Sequence, residues 1–391
     1  MKSFYLYNKG TCTRLKLFGE EVKNLLIEND WREKSLDEAD LILFNSCSFI
    51  RKKEQEFLYL IGKANKKKKK EQKLAVFGCL PKTAKEKILQ ISEEIQTHGR
   101  DIEEIAKSLN LKKVKYKISH SYKKDDESFW QKFTLKINDL FLHDGSIIFR
   151  LKKDQIYHLR ISEGCLGKCT YCTERLTTKF KSEKICDVIW KYLEGYRTGY
   201  RLFSINSDDT AAFGLDRKEN IYDLMSALLE FQYQSFFAIA EFNPRGLIDK
   251  RIYKILSSKK IFYITIPIQS GSQKILDMMK RPYQIKKVEN ALKKIKKINH
   301  KLKINTHIIV GFPGETEEDF QRTLRIIRSS IFNRVKIFSY SDHQKTESYH
   351  LPNKINGATK LSRAIRLKFA ILHSSIKNRS LSDFLLNIRT I

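Results

Sequence analysis

ISEGCLGKCTYC, residues 161–172, is the stretch on which the reading of this chain turns. It follows an apolar run, YHLRIS at 157–162, whose residue types suit a β-strand. Cys165, Cys169 and Cys172 then crowd into one short loop. Three thiolates so placed can hold three irons of a [4Fe–4S] cube, because soft thiolate ligands suit iron–sulfur sites. The fourth iron would lack a protein ligand and could accept a small molecule. Gly164 and Gly167 let the loop wrap closely around such a group. The competing reading is structural zinc, which takes four ligands, usually in paired CxxC spacing. Here one triplet stands without a nearby fourth Cys or His. His158 lies at the start of the preceding strand, and Cys186 sits in the next helical segment, where it reads as packing.

Working outward, a βα series begins near Tyr157. Candidate strands are 157–162, 202–207, 236–242, 261–268, 304–310 and 335–341. Helical periodicity fills the gaps at about 183–198, 219–231, 247–257, 284–298 and 316–329, and a last helix fits 360–375. Six such units predict an open or partial barrel rather than a doubly wound sheet. In barrels the chemistry sits at the C-terminal ends of the strands. The triplet, Ser207, Asp208 and Asp209 after the second strand, and Gln269, Ser270 and Ser272 after the fourth all fall there. In IIVGFPGETEEDF at 308–320, Thr316 and Asp319 have the spacing of a helix capping box.

The N-terminal part alternates too, with strands at 3–8, 41–47 and 74–79 and helices at 13–28, 49–65 and about 99–109. Alternation implies a three-layer domain built on a parallel sheet. Cys47 and Cys79 end predicted strands, and Cys12 lies just after one. Parallel strands ending on one edge bring all three together, which predicts a second three-thiolate site. Buried apolar cysteines are the alternative. The expected divisions are 1–112, a charged connector at 113–150, the barrel at 151–375 and a basic tail at 376–391.

The chain has 391 residues, 75 Lys and Arg against 45 Asp and Glu, and a formal net charge of +30. Such a charge favours a polyanion, nucleic acid first. A Lys-, Ile- and Asn-rich composition also arises from codon bias alone. The start is too polar for a signal peptide, and no run is long and apolar enough to span a membrane. A cytoplasmic location follows, where thiols stay reduced and cysteines point to metal or redox chemistry.

CxxxCxxC after the first barrel strand resembles the signature of the radical S-adenosylmethionine superfamily. Both triplets, with NSCSFIRK at 45–52, FGCLPK at 77–82, IPIQSGS at 266–272, MKRPY at 279–283 and IIVGFPGETEEDF, make residues 1–375 similar to the radical S-adenosylmethionine methylthiotransferase family. NSDDTAAFG at 206–214 looks most like the branch acting on threonylcarbamoyladenosine in transfer RNA, at position 37 beside the anticodon.

The resemblance implies two [4Fe–4S] clusters and S-adenosylmethionine. Cys165, Cys169 and Cys172 would be the catalytic set that cleaves S-adenosylmethionine to a 5′-deoxyadenosyl radical. Cys12, Cys47 and Cys79 would hold the cluster that carries or donates sulfur. Tyr171 would lie near the adenine, Gln269 and Ser270 near the nucleoside, and Gly311 and Gly314 close to the cofactor. Ser207, Asp208 and Asp209 end the second strand and would hold the methionine ammonium or the substrate, and Arg281 would pair with a substrate carboxylate or stand in a plain surface ion pair. The implied partners are transfer RNA, a ferredoxin- or flavodoxin-like electron donor and a sulfur source that the sequence does not identify. The chain departs from the family pattern at His307, where an acid is usual, and at Thr265, where a histidine is usual. It also departs at His343 to Thr346, and after residue 375 no RNA-binding β-barrel of the usual kind is expected. RNA contact would then fall to Lys66 to Lys70 and to Arg363, Arg366, Lys368, Lys377, Arg379 and Arg389.

Overall fold

The computed structural model describes residues 2–113, 119–121 and 156–377. The expected connector and basic tail lie almost wholly outside these residues. The described residues fall into two compact units. One holds 2–113, 119–121 and Thr173–Lys179; the other holds 156–172 and 180–377.

The first unit is a five-stranded parallel sheet in the order β2-β1-β3-β4-β5. Its strands are β1 (Ser3–Tyr7), β2 (Arg32–Glu33), β3 (Leu41–Ser46), β4 (Lys73–Gly78) and β5 (Gln96–Thr97). The main helices are α1 (Thr13–Glu28), α2 (Arg51–Lys67) and α3 (Ile102–Ser108). Strand side chains alternate between two cores. Ile42, Phe44, Leu74 and Val76 pack with Phe57 and Ile61 of α2. Leu41, Leu43, Ala75 and Phe77 pack with Phe18, Val22 and Leu26 of α1 and Ile105 of α3. Helices thus cover both faces, which is why LILF reads as an unbroken apolar run. The short outer strands β2 and β5 carry no apolar residue and are absent from the sequence reading.

The second unit is a six-stranded sheet in the order β13-β12-β11-β10-β9-β6, parallel throughout. Its strands are β6 (Ile156–Arg160), β9 (Leu202–Asn206), β10 (Phe236–Ile239), β11 (Ile261–Thr265), β12 (Lys303–Val310) and β13 (Arg334–Ser339). Helices α4 (Ile185–Arg197), α5 (Ile221–Glu230), α6 (Arg251–Ser257), α7 (Gln273–Met278), α8 (Ile285–Ile298), α9 (Glu317–Arg328) and α10 (Gly357–Lys377) follow in turn. The strand order runs in sequence without the reversal of a doubly wound sheet. Among the described residues β6 and β13 each pair with a single neighbour, so the sheet is an open, partial barrel. Tyr157, Leu159, Phe203, Ile205, Phe237 and Ile239 join the helices in one core. Burying each such aliphatic or aromatic side chain contributes roughly 1.5–3 kcal/mol.

The Thr316–Asp319 capping box at the start of α9 is present as read. Two of the arginines expected to meet RNA are otherwise engaged. Arg363 is buried, its Nη1 donating to Glu315 Oε2 at 2.7 Å, and Arg366 Nη2 lies 2.5 Å from Glu317 Oε1. The apolar face of α10 docks on α9 and turns these cations toward its acidic first turn. Among the described residues no helix is long and apolar enough to cross a membrane.

Candidate functional site

The loop of the first triplet leaves β6 through a two-stranded antiparallel ladder, β7 (Ser162–Glu163) against β8 (Lys181–Ser182). Ser182 N donates to Asp216 at 2.9 Å, and Gly214 N to Ser182 Oγ at 2.9 Å, so the ladder is anchored to the NSDDTAAFG loop. Neither strand of the ladder has a sequence signal, because its pairing depends on the loop closing. Thr170 holds the loop's far side: its Oγ1 donates to Met278 O at 3.0 Å and its N to Met279 O at 3.2 Å.

Cys169 is buried, and Cys165 and Cys172 are partly exposed. Gly167 N donates to Cys165 Sγ at 3.2 Å. A Cβ at Gly167 would stand 3.1 Å from the Cys165 sulfur and 3.7 Å from that of Cys169. Both thiols therefore crowd one point on the loop, and a side chain there would press on them. Burial, followed by the charge of Asp209, pushes the Cys165 thiol up to about 11. Three free thiols on one short loop, two of them at a glycine turn, fit a cube, in which each thiolate has its own iron. Among the described residues no three Cys, His, Asp or Glu side chains converge as a single ion would need.

Arg281 is not at a surface ion pair. It is buried, donating from Nη1 to Cys169 Sγ at 3.4 Å, from Nη2 to Pro267 O at 3.0 Å and from Nε to Tyr283 Oη at 3.2 Å. Tyr283 Oη in turn donates to Ile268 O at 2.8 Å. MKRPY thus places a cation beside a thiol of the triplet, where it offsets thiolate charge. Tyr171 packs edge-on to Phe312, ring centroids 6.5 Å apart.

The second strand's end is tied inward. Ser207 Oγ lies 2.6 Å from Ser162 Oγ. Asp209 is buried, accepting from Arg245 Nη2 at 2.8 Å and Asn243 Nδ2 at 3.3 Å. Both carboxylate oxygens of Asp208 are shielded from solvent. Gln269 has a left-handed backbone, φ 62°, and its buried Oε1 has no hydrogen-bond partner among the described residues. An orphaned buried amide oxygen at a strand end suits a ligand donor such as a ribose hydroxyl. Ser270 turns instead into the loop, its Oγ accepting from Ser272 N at 3.1 Å. Gly311 N donates to Glu315 Oε2 at 2.7 Å, and burial pushes that carboxyl up to about 7.

In the other unit Cys12 stands at the N-terminal cap of α1, while Cys47 and Cys79 directly follow β3 and β4. β1, β3 and β4 are adjacent, so the topology delivers the three to one sheet edge. Gly78 has φ 105°, and a Cβ there would stand 2.6 Å from Ser46 O. This close approach lets Cys79 N donate to Ser46 O at 2.9 Å and sets Cys79 beside Cys47. Burial, then the neighbouring Cys12, pushes the Cys47 thiol up to about 12, and burial raises Cys79 as well. Arg14 and Arg100 pair with Glu174 at 3.5 and 3.6 Å, and none of the three is marked out by sequence pattern.

A family model described as the radical SAM superfamily matches residues 159–327. One described as an uncharacterized protein family, UPF0004, matches 12–98. The ribosomal protein uS12 methylthiotransferase RimO of Thermosipho africanus is 27% identical over 355 residues, covering 89% of this chain and 76% of that protein. A probable threonylcarbamoyladenosine tRNA methylthiotransferase of Methanocaldococcus jannaschii is 27% identical over 337 residues, covering 84% and 74%. The radical S-adenosylmethionine methyltransferase TsrM of Kitasatospora setae, solved with cobalamin and a [4Fe–4S] cluster, superposes with a TM-score of 0.60 at 9% identity, over 89% of this chain and 77% of that one. That last likeness is one of fold. Two matched domains, two cysteine triplets and two relatives of one chemistry converge: the chain carries a radical SAM domain and, over most of its length, is similar to radical S-adenosylmethionine methylthiotransferases, enzymes that use S-adenosylmethionine and [4Fe–4S] clusters.

Proposed function

We propose that this enzyme adds a methylthio group to C2 of threonylcarbamoyladenosine in transfer RNA, next to the anticodon. The observation that carries the substrate class is the net charge of +30, which suits a polyanion better than a protein side chain. The NSDDTAAFG loop and the Methanocaldococcus relative support the branch. A ribosomal-protein substrate is the second reading, favoured by the Thermosipho relative.

Cys165, Cys169 and Cys172 would hold the cluster that supplies one-electron cleavage of S-adenosylmethionine. Around it the chain's own residues have defined tasks. The β7–β8 ladder and Thr170 fix the loop, and Arg281 keeps a positive charge at Cys169 in a buried setting, where it acts strongly. Gln269 Oε1 offers an acceptor at the mouth, and Arg245 orients Asp209. Cys12, Cys47 and Cys79 would hold the sulfur-bearing cluster. The electron donor would be a low-potential ferredoxin- or flavodoxin-like protein.

The test is turnover by the reduced, reconstituted enzyme on transfer RNA carrying threonylcarbamoyladenosine, on transfer RNA carrying isopentenyladenosine, and on uS12. Mass spectrometry should find the methylthio group on the first alone; modification of uS12 instead would establish the second reading. Phosphate-led binding should also weaken with salt, by roughly a thousandfold or more between about 50 and 200 mM for six to ten contacts. A flat salt series would count against RNA.

A further inference from the structure

Parallel strands usually carry apolar residues on both faces. The six-stranded sheet of the second unit does so on one. Ile264, Ile304, Ile308 and Val335 pack on its helix-covered face with Leu292 of α8 and Leu324 of α9. Alternate residues of a strand point to the opposite face. On β11, β12 and β13 these are Tyr263 and Thr265, Asn305 and His307, and Arg334 and Lys336. The register sets Thr265 beside Asn305, Asn305 beside Arg334, and His307 beside Lys336. A closed barrel fills this space with branched apolar side chains. Here the wall is made of polar and cationic ones, which suits a polar ligand.

Within this wall Arg334 stands out. Asn305 and Thr265 are buried, and Asn305 Nδ2 donates to Tyr263 Oη. Arg334 Nε is shielded from solvent, yet it has no hydrogen-bond partner among the described residues. A guanidinium drawn out of water is costly unless an anion meets it. The carboxylate at this wall, Glu241, is turned to another group: its Oε2 lies 3.6 Å from His307 Nδ1. Glu241 follows β10 with a left-handed backbone, φ 47°, the kind of strain that clusters at functional sites. Arg281, the residue that the sequence offers to a substrate carboxylate, is committed to Cys169, Pro267 and Tyr283. We propose that Arg334, on the wall it shares with Asn305 and Tyr263, is the specificity residue for a carboxylate carried by the substrate. The proposal rests on the reading of threonylcarbamoyladenosine as that substrate, because its threonyl group bears a carboxylate that isopentenyladenosine lacks. A guanidinium pairs with a carboxylate through two parallel hydrogen bonds, and shielding from water strengthens the pair. The methionine part of S-adenosylmethionine bears the same group, so the test must separate the two sources.

The test measures binding of two anticodon stem-loops to the full-length, reconstituted enzyme with S-adenosylmethionine present. One carries threonylcarbamoyladenosine and the other its methyl ester, which removes the negative charge and little else. The parent should bind the acid about ten- to a hundredfold more tightly than the ester. Arg334→Gln should erase that preference by weakening the acid alone. Arg334→Lys, which keeps the charge but loses the planar fork, should retain part of it. A parent that binds acid and ester alike overturns the proposal. If Arg334→Gln weakens both stem-loops equally, its role is structural and the proposal fails. If the preference survives in Arg334→Gln while the Kd for S-adenosylmethionine rises, the cation serves the methionine carboxylate, and the proposal fails again. Failure of the underlying reading looks different: the parent then leaves threonylcarbamoyladenosine RNA unmodified and modifies uS12, which sinks the substrate and this inference with it.

Discussion

Cys165, Cys169 and Cys172 lie on one loop pinched shut by a two-stranded ladder, whereas Cys12, Cys47 and Cys79 come from three successive strand ends of a parallel sheet. The first arrangement is local. Its sulfurs are close because the chain between them is short, and a glycine at 167 lets the turn tighten. The second is non-local, and its cysteines come to one sheet edge only when β1, β3 and β4 pair in register. The first site should therefore be sensitive to what happens within its loop, and the second to anything that disturbs the sheet. The environments differ as well. Arg281 sits directly on a thiol of the first triplet, while in the second burial raises the thiols of Cys47 and Cys79.

The largest expected effect separates the two by chemistry. Anaerobic reconstitution should give about eight irons per chain, two cubes. Replacing Cys165, Cys169 and Cys172 by Ala should halve the iron and abolish 5′-deoxyadenosine formation. Replacing Cys12, Cys47 and Cys79 should also halve it, yet leave 5′-deoxyadenosine formation largely intact while product is lost. Zinc in place of iron, measured by elemental analysis, would break the comparison at its root.

A smaller effect separates them by mechanics. Gly78→Ala forces a left-handed backbone on a residue with a side chain and drives its Cβ onto Ser46 O. That should cost about 2–4 kcal/mol and be read as an earlier thermal transition of the first unit, with iron lost from the second site as the sheet edge loosens. Gly167→Ala meets only sulfur atoms, at 3.1 and 3.7 Å, with no backbone strain. It should leave thermal stability within about 1 kcal/mol of the parent and lower iron at the first site alone. Equal thermal losses in the two variants would contradict the local and non-local distinction.

The smallest effects lie at the start of α9, where two buried carboxyls four residues apart shift in opposite directions. Burial pushes Glu315 up to about 7, against Gly311 N–H and Arg363. Its contribution to stability is full below the ordinary carboxyl range and is lost as pH rises through about 7. Burial also acts on Asp319, but hydrogen bonds from Ser272, Thr316 and Lys274 outweigh it and bring that group down to about 2. Its contribution is present above the ordinary range and is lost as pH falls through about 2. Glu315→Gln should flatten the decline between about pH 4.5 and 7, by about 1–3 kcal/mol. Asp319→Asn should cost about 1–2 kcal/mol at neutral pH, a loss that vanishes in acid. Denaturant titrations at several pH values read both, and parallel curves for parent and variants would refute the assignment.

By itself the sequence determined the elements whose side chains repeat with a period, such as LILF in β3 and the strand-and-helix alternation of the barrel. It also determined the tight spacing of Cys165, Cys169 and Cys172, because that spacing is covalent and survives any rearrangement of the fold. The Thr316–Asp319 cap was legible for the same reason, since its partners are close along the chain. Tertiary structure decided the rest. β2, β5 and the β7–β8 ladder exist only through pairing with distant segments, and their own residues carry no pattern. Arg363, read as a surface cation, was claimed by Glu315 across 48 residues of chain. Arg281 was drawn in beside Cys169 over 112 residues, and Glu174 was returned to the unit of Cys12, Cys47 and Cys79. A charged residue shows its sign in the sequence, but the partner that makes its burial tolerable is chosen by packing, and only the folded chain brings the two together.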